Sequence, residues 1–202
     1  MPLVHRIWHK LAAVSLVASL VLFTLAVSPL PAAAWNIPGH MLSAVIAYQV
    51  LRQENPPTIA KVKAALEKHP WYANLWQARL QDVPAADRDL VLFMQASKWA
   101  HDIRIQEKAQ NRPSWHYTNL PFKPDGQQPT VQIREPEPMN ILTAMVKNES
   151  VVKQETNAER RAIALAWLFH LVGDIHQPLH TASYSTLSTP TATGVGTKSV
   201  CE

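Results

Sequence analysis

One segment constrains this chain more than any other. Between Asn157 and His180 the sequence reads NAERRAIALAWLFHLVGDIHQPLH, with Ala162, Ile163, Leu165, Trp167, Leu168, Phe169, Leu171 and Val172 at helical spacing. These residues surround almost the whole circumference of a helix, and a helix apolar on most sides belongs in a core. The rest of the chain must therefore supply elements that pack around it. The same helix carries His170 and Asp174, four residues apart and so on one face. Two such groups are costly in an apolar interior unless they pair or coordinate something. A hydrogen-bonded core pair and two ligands offered to a metal ion are both open on this spacing. His180 follows Pro178, where the chain can turn back toward the same centre.

The elements available for that packing also read as helices. GHMLSAVIAYQVL places Met41, Ala44, Val45, Ala47 and Tyr48 on one broad apolar face, and PPTIAKVKAALEKHP ends before Pro70. A third helix runs from about Pro84, tolerated in a first turn, through DRDLVLFMQASKWAHDIR. Loops follow at Asn111 to Asp125 and at Arg134 to Pro138. Helices resume at MNILTAMVKNES and in the segment that opened this section. No alternating run is long enough for a strand, and there is no internal repeat. The fold class is all-α.

Two stretches stand outside this pattern. Residues 1–34 hold His5, Arg6, His9 and Lys10 but no acid, then the apolar run Leu11 to Val27, then Pro29, Pro31 and Ala32-Ala33-Ala34. Basic, apolar and A-x-A segments in that order describe a secretory signal peptide. An uncleaved anchor is the alternative for an apolar run of this length, and the A-x-A site favours cleavage before Trp35. Residues 35–183 form the helical domain, large enough for a core of its own. Residues 184–202 form a Ser/Thr-rich tail without helical periodicity, which is expected to be flexible. The protein is thus expected to be secreted or periplasmic, meeting the membrane only during export.

After cleavage all 15 acids and 17 of the 19 Lys and Arg remain, so the formal charge falls from +4 to +2. That is too weak to argue for a broad electrostatic footprint on nucleic acid. With Cys201 as the only cysteine there is no internal disulfide. Stability comes from the core, a partner or bound metal, and no stable protein partner is inferred. Five of the nine histidines are ligand candidates within short motifs: His40 in WNIPGH, His101 in HDIR, His116 in WHYTN, and His170 and His180 in FHLVGDIHQPLH. Histidine and carboxylate donors suit zinc.

Taken in order, Trp35 after a cleavage site, His40, Trp99-Ala100-x-Asp102-Ile103-Arg104, WHYTN and GDIHQPLH resemble the S1/P1 nuclease family. These are secreted zinc enzymes that prefer single strands and are related to bacterial phospholipase C. The resemblance implies a mostly helical phospholipase C/P1 nuclease-like fold with three zinc ions, and hydrolysis of single-stranded DNA or RNA to 5′-phosphorylated products by zinc-activated water. By position it implies that the amino group and carbonyl of Trp35 and the side chain of His40 hold one zinc. Asp174 bridges that zinc to a second on His116 and His170, and His180 serves the third. Tyr117 corresponds to a base-stacking position, Asn119 to one that bonds a base edge, and Arg104 to a basic position near the phosphate. Stacking with a few polar contacts suits single strands.

Two departures accompany the resemblance. Where the family places a zinc-binding Asp two residues after tryptophan, this chain has His101, with Asp102 one place later. A one-residue slip on a helix turns a side chain by about 100°, so His101 and Asp102 are both carried as catalytic candidates, His101 also as a ligand. The family's later GGN segment and H-x-x-x-D helix are absent, leaving His180 alone for the third zinc. The expectation is a C-terminally shortened or frameshifted member holding fewer zincs. A phospholipase C-like phosphodiesterase and an inactive metal-binding remnant are the alternatives.

Overall fold

A computed structural model describes residues 36–122, 125 and 136–184. Trp35, the leader 1–34 and the tail from 185 onward lie outside the described residues. The chain divides into two units, Met1–Ala33 and Ala34–Glu202, and every described residue belongs to the second.

Prolines set the boundaries of the first elements. Helix α1 (Ile37–Glu54) starts after the extended Asn36 with Pro38 in its first turn, where the missing N–H loses no hydrogen bond. It ends at Asn55 because Pro56 follows, and Pro56 and Pro57 then open α2 (Pro56–Leu66). A π-helical turn, Tyr72–Trp76, runs into the short α3 (Gln77–Gln81). Extended Pro84 and a 3-10 turn, Ala85–Asp87, lead into α4 (Arg88–Gln106). Helix α5 (Ile141–Gln154) is fixed by a capping box: Asn140 Oδ1 accepts from Leu142 and Thr143 N–H, and Thr143 Oγ1 accepts from Asn140 N–H. Helix α6 (Ala158–Ile175) starts at Asn157, whose Oδ1 accepts from Arg160 N–H. The four-residue α7 (Pro178–Thr181) follows.

The fold is all-α, as the patterning predicts, with α6 at its centre. Helix α6 packs on α1, α2, α4 and α5, and α4 packs on α1. Between them Leu66, Trp76, Leu92, Phe93, Trp99, Ile103, Ile141 and Leu171 are fully buried. Aromatic edges knit this core: Trp167 meets Trp99 at 5.7 Å and Trp115 at 4.9 Å between ring centroids.

Several details differ from the sequence reading. Only one side of the apolar α1 face is covered: His40 and Ala44 are buried, whereas Ala47, Leu42, Ile46 and Val50 are exposed. Helix α6 is not enclosed at its end, where Val172 is exposed. The π-turn and α3 occupy a stretch, 71–83, to which periodicity assigns no element. The 111–125 loop contains a 3-10 turn, Pro113–His116, and strand β1 (Leu120–Phe122). β1 pairs in parallel with β2 (Ala182–Tyr184), Leu120 opposite Ala182. Three-residue strands are too short to show alternation, and this pair fastens two loops without changing the fold class. Among the described residues no helix is long and apolar enough to cross a membrane.

Candidate metal centre

Four elements deliver histidines to one carboxylate. Asp174 and His170 project from one face of α6, as their spacing requires. His40 comes from the first turn of α1, His116 from the end of the 3-10 turn, and His180 from α7. The chain just after His116 is tied twice: Tyr117 carbonyl accepts from Ile141 N–H at 3.1 Å, and Thr118 N–H donates to His180 carbonyl at 2.8 Å. All of these side chains are buried except that of His180, which is half-buried.

The two oxygens of Asp174 face different partners. Oδ2 lies 2.8 Å from His116 Nδ1 and 3.0 Å from His170 Nε2, and those two nitrogens are 3.0 Å apart. Oδ1 lies 3.2 Å from His40 Nε2 and 3.6 Å from His180 Nδ1. The His40 contact is close but poorly directed, so among the described residues Oδ1 has no aligned donor. His40 also stacks on His170, with centroids 3.7 Å apart and planes at 19°.

Hydrogen bonds behind the rings fix which nitrogens face inward. His170 Nδ1 is 2.9 Å from the Ser97 carbonyl, which can only accept, so Nδ1 carries the proton. Neutral His170 then turns the lone pair of Nε2 toward Asp174 and His116. This backing of a ring by a carbonyl is the usual support for a metal-binding histidine.

Electrostatics reinforce that arrangement. Burial lowers the affinity of His40, His116 and His170 for a second proton, outweighing the attraction of Asp174. For Asp174 burial acts to raise its pKa, but the contacts from His116, His170 and His40 overcome it and hold the carboxyl well below the usual range. One anionic carboxylate therefore faces neutral imidazoles. Around Oδ2, His116 Nδ1 and His170 Nε2 there is at most one proton for three mutually close acceptors. Among the described residues His116 Nε2, His40 Nδ1 and Asp174 Oδ1 are buried without directed partners. A cation relieves such a confrontation. The ligand atoms of His40, His170 and Asp174 all lie within 4.8 Å of one another. Donors around tetrahedral zinc with bonds of about 2.0–2.1 Å are separated by about 3.3 Å, close to the separations here. The donor set and its spacing fit zinc.

Residues 35–196 match the family described as S1/P1 Nuclease. The chain belongs to the S1/P1 nuclease family. No curated protein and no solved structure matches it. The S1/P1 match begins at Trp35, the residue after the expected cleavage site, and runs past the Tyr184 limit of the sequence resemblance. Membership carries a zinc-dependent phosphodiesterase chemistry acting on nucleic acid at the level of the family. The buried cluster of His40, His170 and Asp174 has the donors to hold a metal ion.

The remaining residues named for an S1/P1 site fall into two groups. His101 is half-buried on α4 with its proton affinity lowered by burial, by Arg104 and by His40, and it feels Asp174 as well. It is near enough to the cluster to sense the charges of His40 and Asp174. Asp102 does not join it: its carboxylate is paired with Lys98 one turn back on the same helix. The helical rotation between neighbouring positions accounts for the difference. Arg104 is exposed at the end of α4, and Tyr117 and Asn119 are half-buried beside His116. Asn119 holds a left-handed φ of 50°, a conformation that asparagine tolerates better than most residues. Trp35 lies outside the described residues.

Sequence reasoning passed over the Ser97 carbonyl and Trp167. Trp167 sets its ring edge-on against His116 at 5.6 Å and His170 at 6.3 Å. A carbonyl leaves no mark in sequence, and a tryptophan among core residues is indistinguishable from packing. His69 is buried elsewhere, stacked on Trp76 at 4.5 Å and accepting Trp71 N–H at Nδ1.

Proposed function

We propose that this S1/P1 family member is an exported zinc-dependent nuclease that hydrolyses single-stranded DNA and RNA to 5′-phosphorylated products. The observation that supports it most is the division of Asp174, with Oδ2 among His116 and His170 and Oδ1 toward His40. A carboxylate so placed suits two adjacent metal subsites. His116, His170 and Asp174 would hold one zinc. His40, Asp174 and, once the leader is removed, the amino group and carbonyl of Trp35 would hold another. Zinc supplies Lewis acidity toward phosphate oxygens and makes water a usable nucleophile near neutral pH.

The chain's own residues supply the rest. His101, near the cluster on α4, supplies a neutral imidazole that can accept a proton from water approaching the phosphate. Arg104, exposed at the end of the same helix, attracts the phosphate group. Tyr117 offers a ring on which an unpaired base stacks, worth about 1–3 kcal/mol per base in such sites, and Asn119 bonds the base edge. Duplex bases cannot reach these groups without unstacking, which favours single strands. Asp102 is held by Lys98 and takes no part in proton transfer.

The test is hydrolysis by the zinc-loaded protein of single-stranded DNA, duplex DNA and phosphatidylcholine, with end-group analysis of the products. Cleavage of the single strand alone, leaving 5′-phosphates, supports the proposal. Cleavage of the lipid alone makes it a phospholipase C-like enzyme. Zinc binding with no cleavage of any substrate makes it a metal-binding protein without turnover.

A further inference from the structure

His116 and His170 reach the same oxygen of Asp174, yet they are held there differently. His170 has an acceptor behind it, since Nδ1–H donates to the Ser97 carbonyl at 2.9 Å, and its ring stacks on His40 at 3.7 Å. His116 has a fixed main chain: its carbonyl lies 2.6 Å from His180 Nδ1, and the next carbonyl, of Tyr117, accepts from Ile141 N–H at 3.1 Å. Those contacts leave the imidazole able to turn about its last side-chain bond, a broad torsion in histidine. When His116 Nδ1 offers its lone pair to a metal, the proton of the neutral ring sits on Nε2. That nitrogen is buried, and among the described residues it has no hydrogen-bond partner. The backing acceptor usual for a metal-binding histidine is therefore not found for His116 among them.

An aromatic wall stands in its place. Trp167 lies against the His116 ring at 5.6 Å between centroids, with planes at 63°. It also meets His170, at 6.3 Å and 86°. The second contact follows from helix geometry, because Trp167 is three residues before His170 on α6 and side chains lean toward the N-terminus of their helix. Trp167 itself has little room to move. It is buried, and Trp115 at 4.9 Å and Trp99 at 5.7 Å hold it from two other elements. A large ring enclosed in a close-packed core keeps one orientation, and tilted ring pairs favour a defined geometry.

We infer that Trp167 is a positioning residue, whose enclosed ring keeps the His116 imidazole turned with Nδ1 toward Asp174 Oδ2, as the Ser97 carbonyl does for His170. This rests on reading His116, His170 and Asp174 as ligands of one zinc. Packing alone would make Trp167 equivalent to any other core tryptophan. Trp76 is the comparison, since it is fully buried but stacks on His69 rather than on an imidazole of the cluster. Removing an outer partner of a metal ligand commonly lowers affinity by about 10–100-fold, whereas loosening the core elsewhere lowers stability.

The experiment compares the wild-type chain with Trp167→Leu and Trp167→Phe, and takes Trp76→Leu and Trp76→Phe as controls. Zinc affinity is measured by competition with a chromophoric chelator, and stability by urea unfolding after EDTA treatment. NMR follows cross-relaxation between the ring protons of His116 and His170 in the same metal-free protein. Trp167→Leu should lose at least about ten-fold in zinc affinity and weaken the cross-relaxation. Trp167→Phe, with a smaller ring, should fall between it and the wild type. The Trp76 variants should lose stability but keep both zinc affinity and cross-relaxation. Unchanged zinc affinity in Trp167→Leu overturns the inference, and so does an equal loss in Trp76→Leu. Where leucine prevents folding, the two phenylalanine variants decide by the same criterion. If the wild type takes up no zinc, the ligand reading fails, and cross-relaxation alone decides whether Trp167 orients His116. Weakening confined to the Trp167 variants supports that role, and equal values in all the proteins overturn it.

Discussion

Replacing His69 by phenylalanine separates a core histidine from those of the metal centre. His69 is 3% exposed, and burial lowers its pKa to about 3. An unfolded histidine titrates near 6.5, so the folded state binds fewer protons throughout the window between those values. Stability from this group is therefore full above pH 6.5 and falls as the pH drops. At about 1.4 kcal/mol per pH unit, the loss is about 2 kcal/mol by pH 5 and about 5 kcal/mol by pH 3. Phenylalanine keeps a ring against Trp76 and Trp99 but leaves Trp71 N–H without its acceptor, at a cost of roughly 1–3 kcal/mol. The variant should be less stable at pH 7 and lose about 2 kcal/mol less than wild type on going to pH 5. Urea unfolding of EDTA-treated protein across this range measures both slopes, and the other histidines contribute equally to each. Parallel slopes would refute the assignment of His69 as a buried neutral base.

The pairing of Asp102 with Lys98 predicts that Asp102→Asn leaves zinc affinity unchanged, whereas His101→Ala lowers the rate on single-stranded DNA; the reverse result would make Asp102 the active member of this segment. At the other end of the fold, Asn140→Ala removes the capping box of α5 and should cost about 1 kcal/mol, measured by urea unfolding with zinc absent. No loss would mean that packing alone holds that helix end.

How much of this was legible in the sequence depends on the type of interaction. The central helix declared itself, because eight large or aliphatic residues around one helix leave little polar face, and the helix is buried along most of its length though Val172 near its end is exposed. The i, i+4 spacing of His170 and Asp174 likewise fixed their common side. The convergence of His40 and His116 was accessible only through the family resemblance, since it depends on contacts between distant elements. The rotation between His101 and Asp102 followed from helix geometry, but the partner that captures Asp102, Lys98, became visible only with the side chains placed. The Ser97 carbonyl behind His170 and the His116 carbonyl in front of His180 are backbone groups common to every residue, so no pattern could reveal them.

The central claim is that the buried cluster around Asp174 is a zinc centre, and metal analysis of the wild-type chain beside Asp174→Asn tests it most directly. Asparagine keeps the shape of the side chain but removes the charge that both groups of histidines face. The account predicts at least one zinc per chain in the wild type, resistant to dialysis, and none in a folded Asp174→Asn variant. Equal zinc content in the two proteins, or none in the wild type after zinc loading, would contradict it.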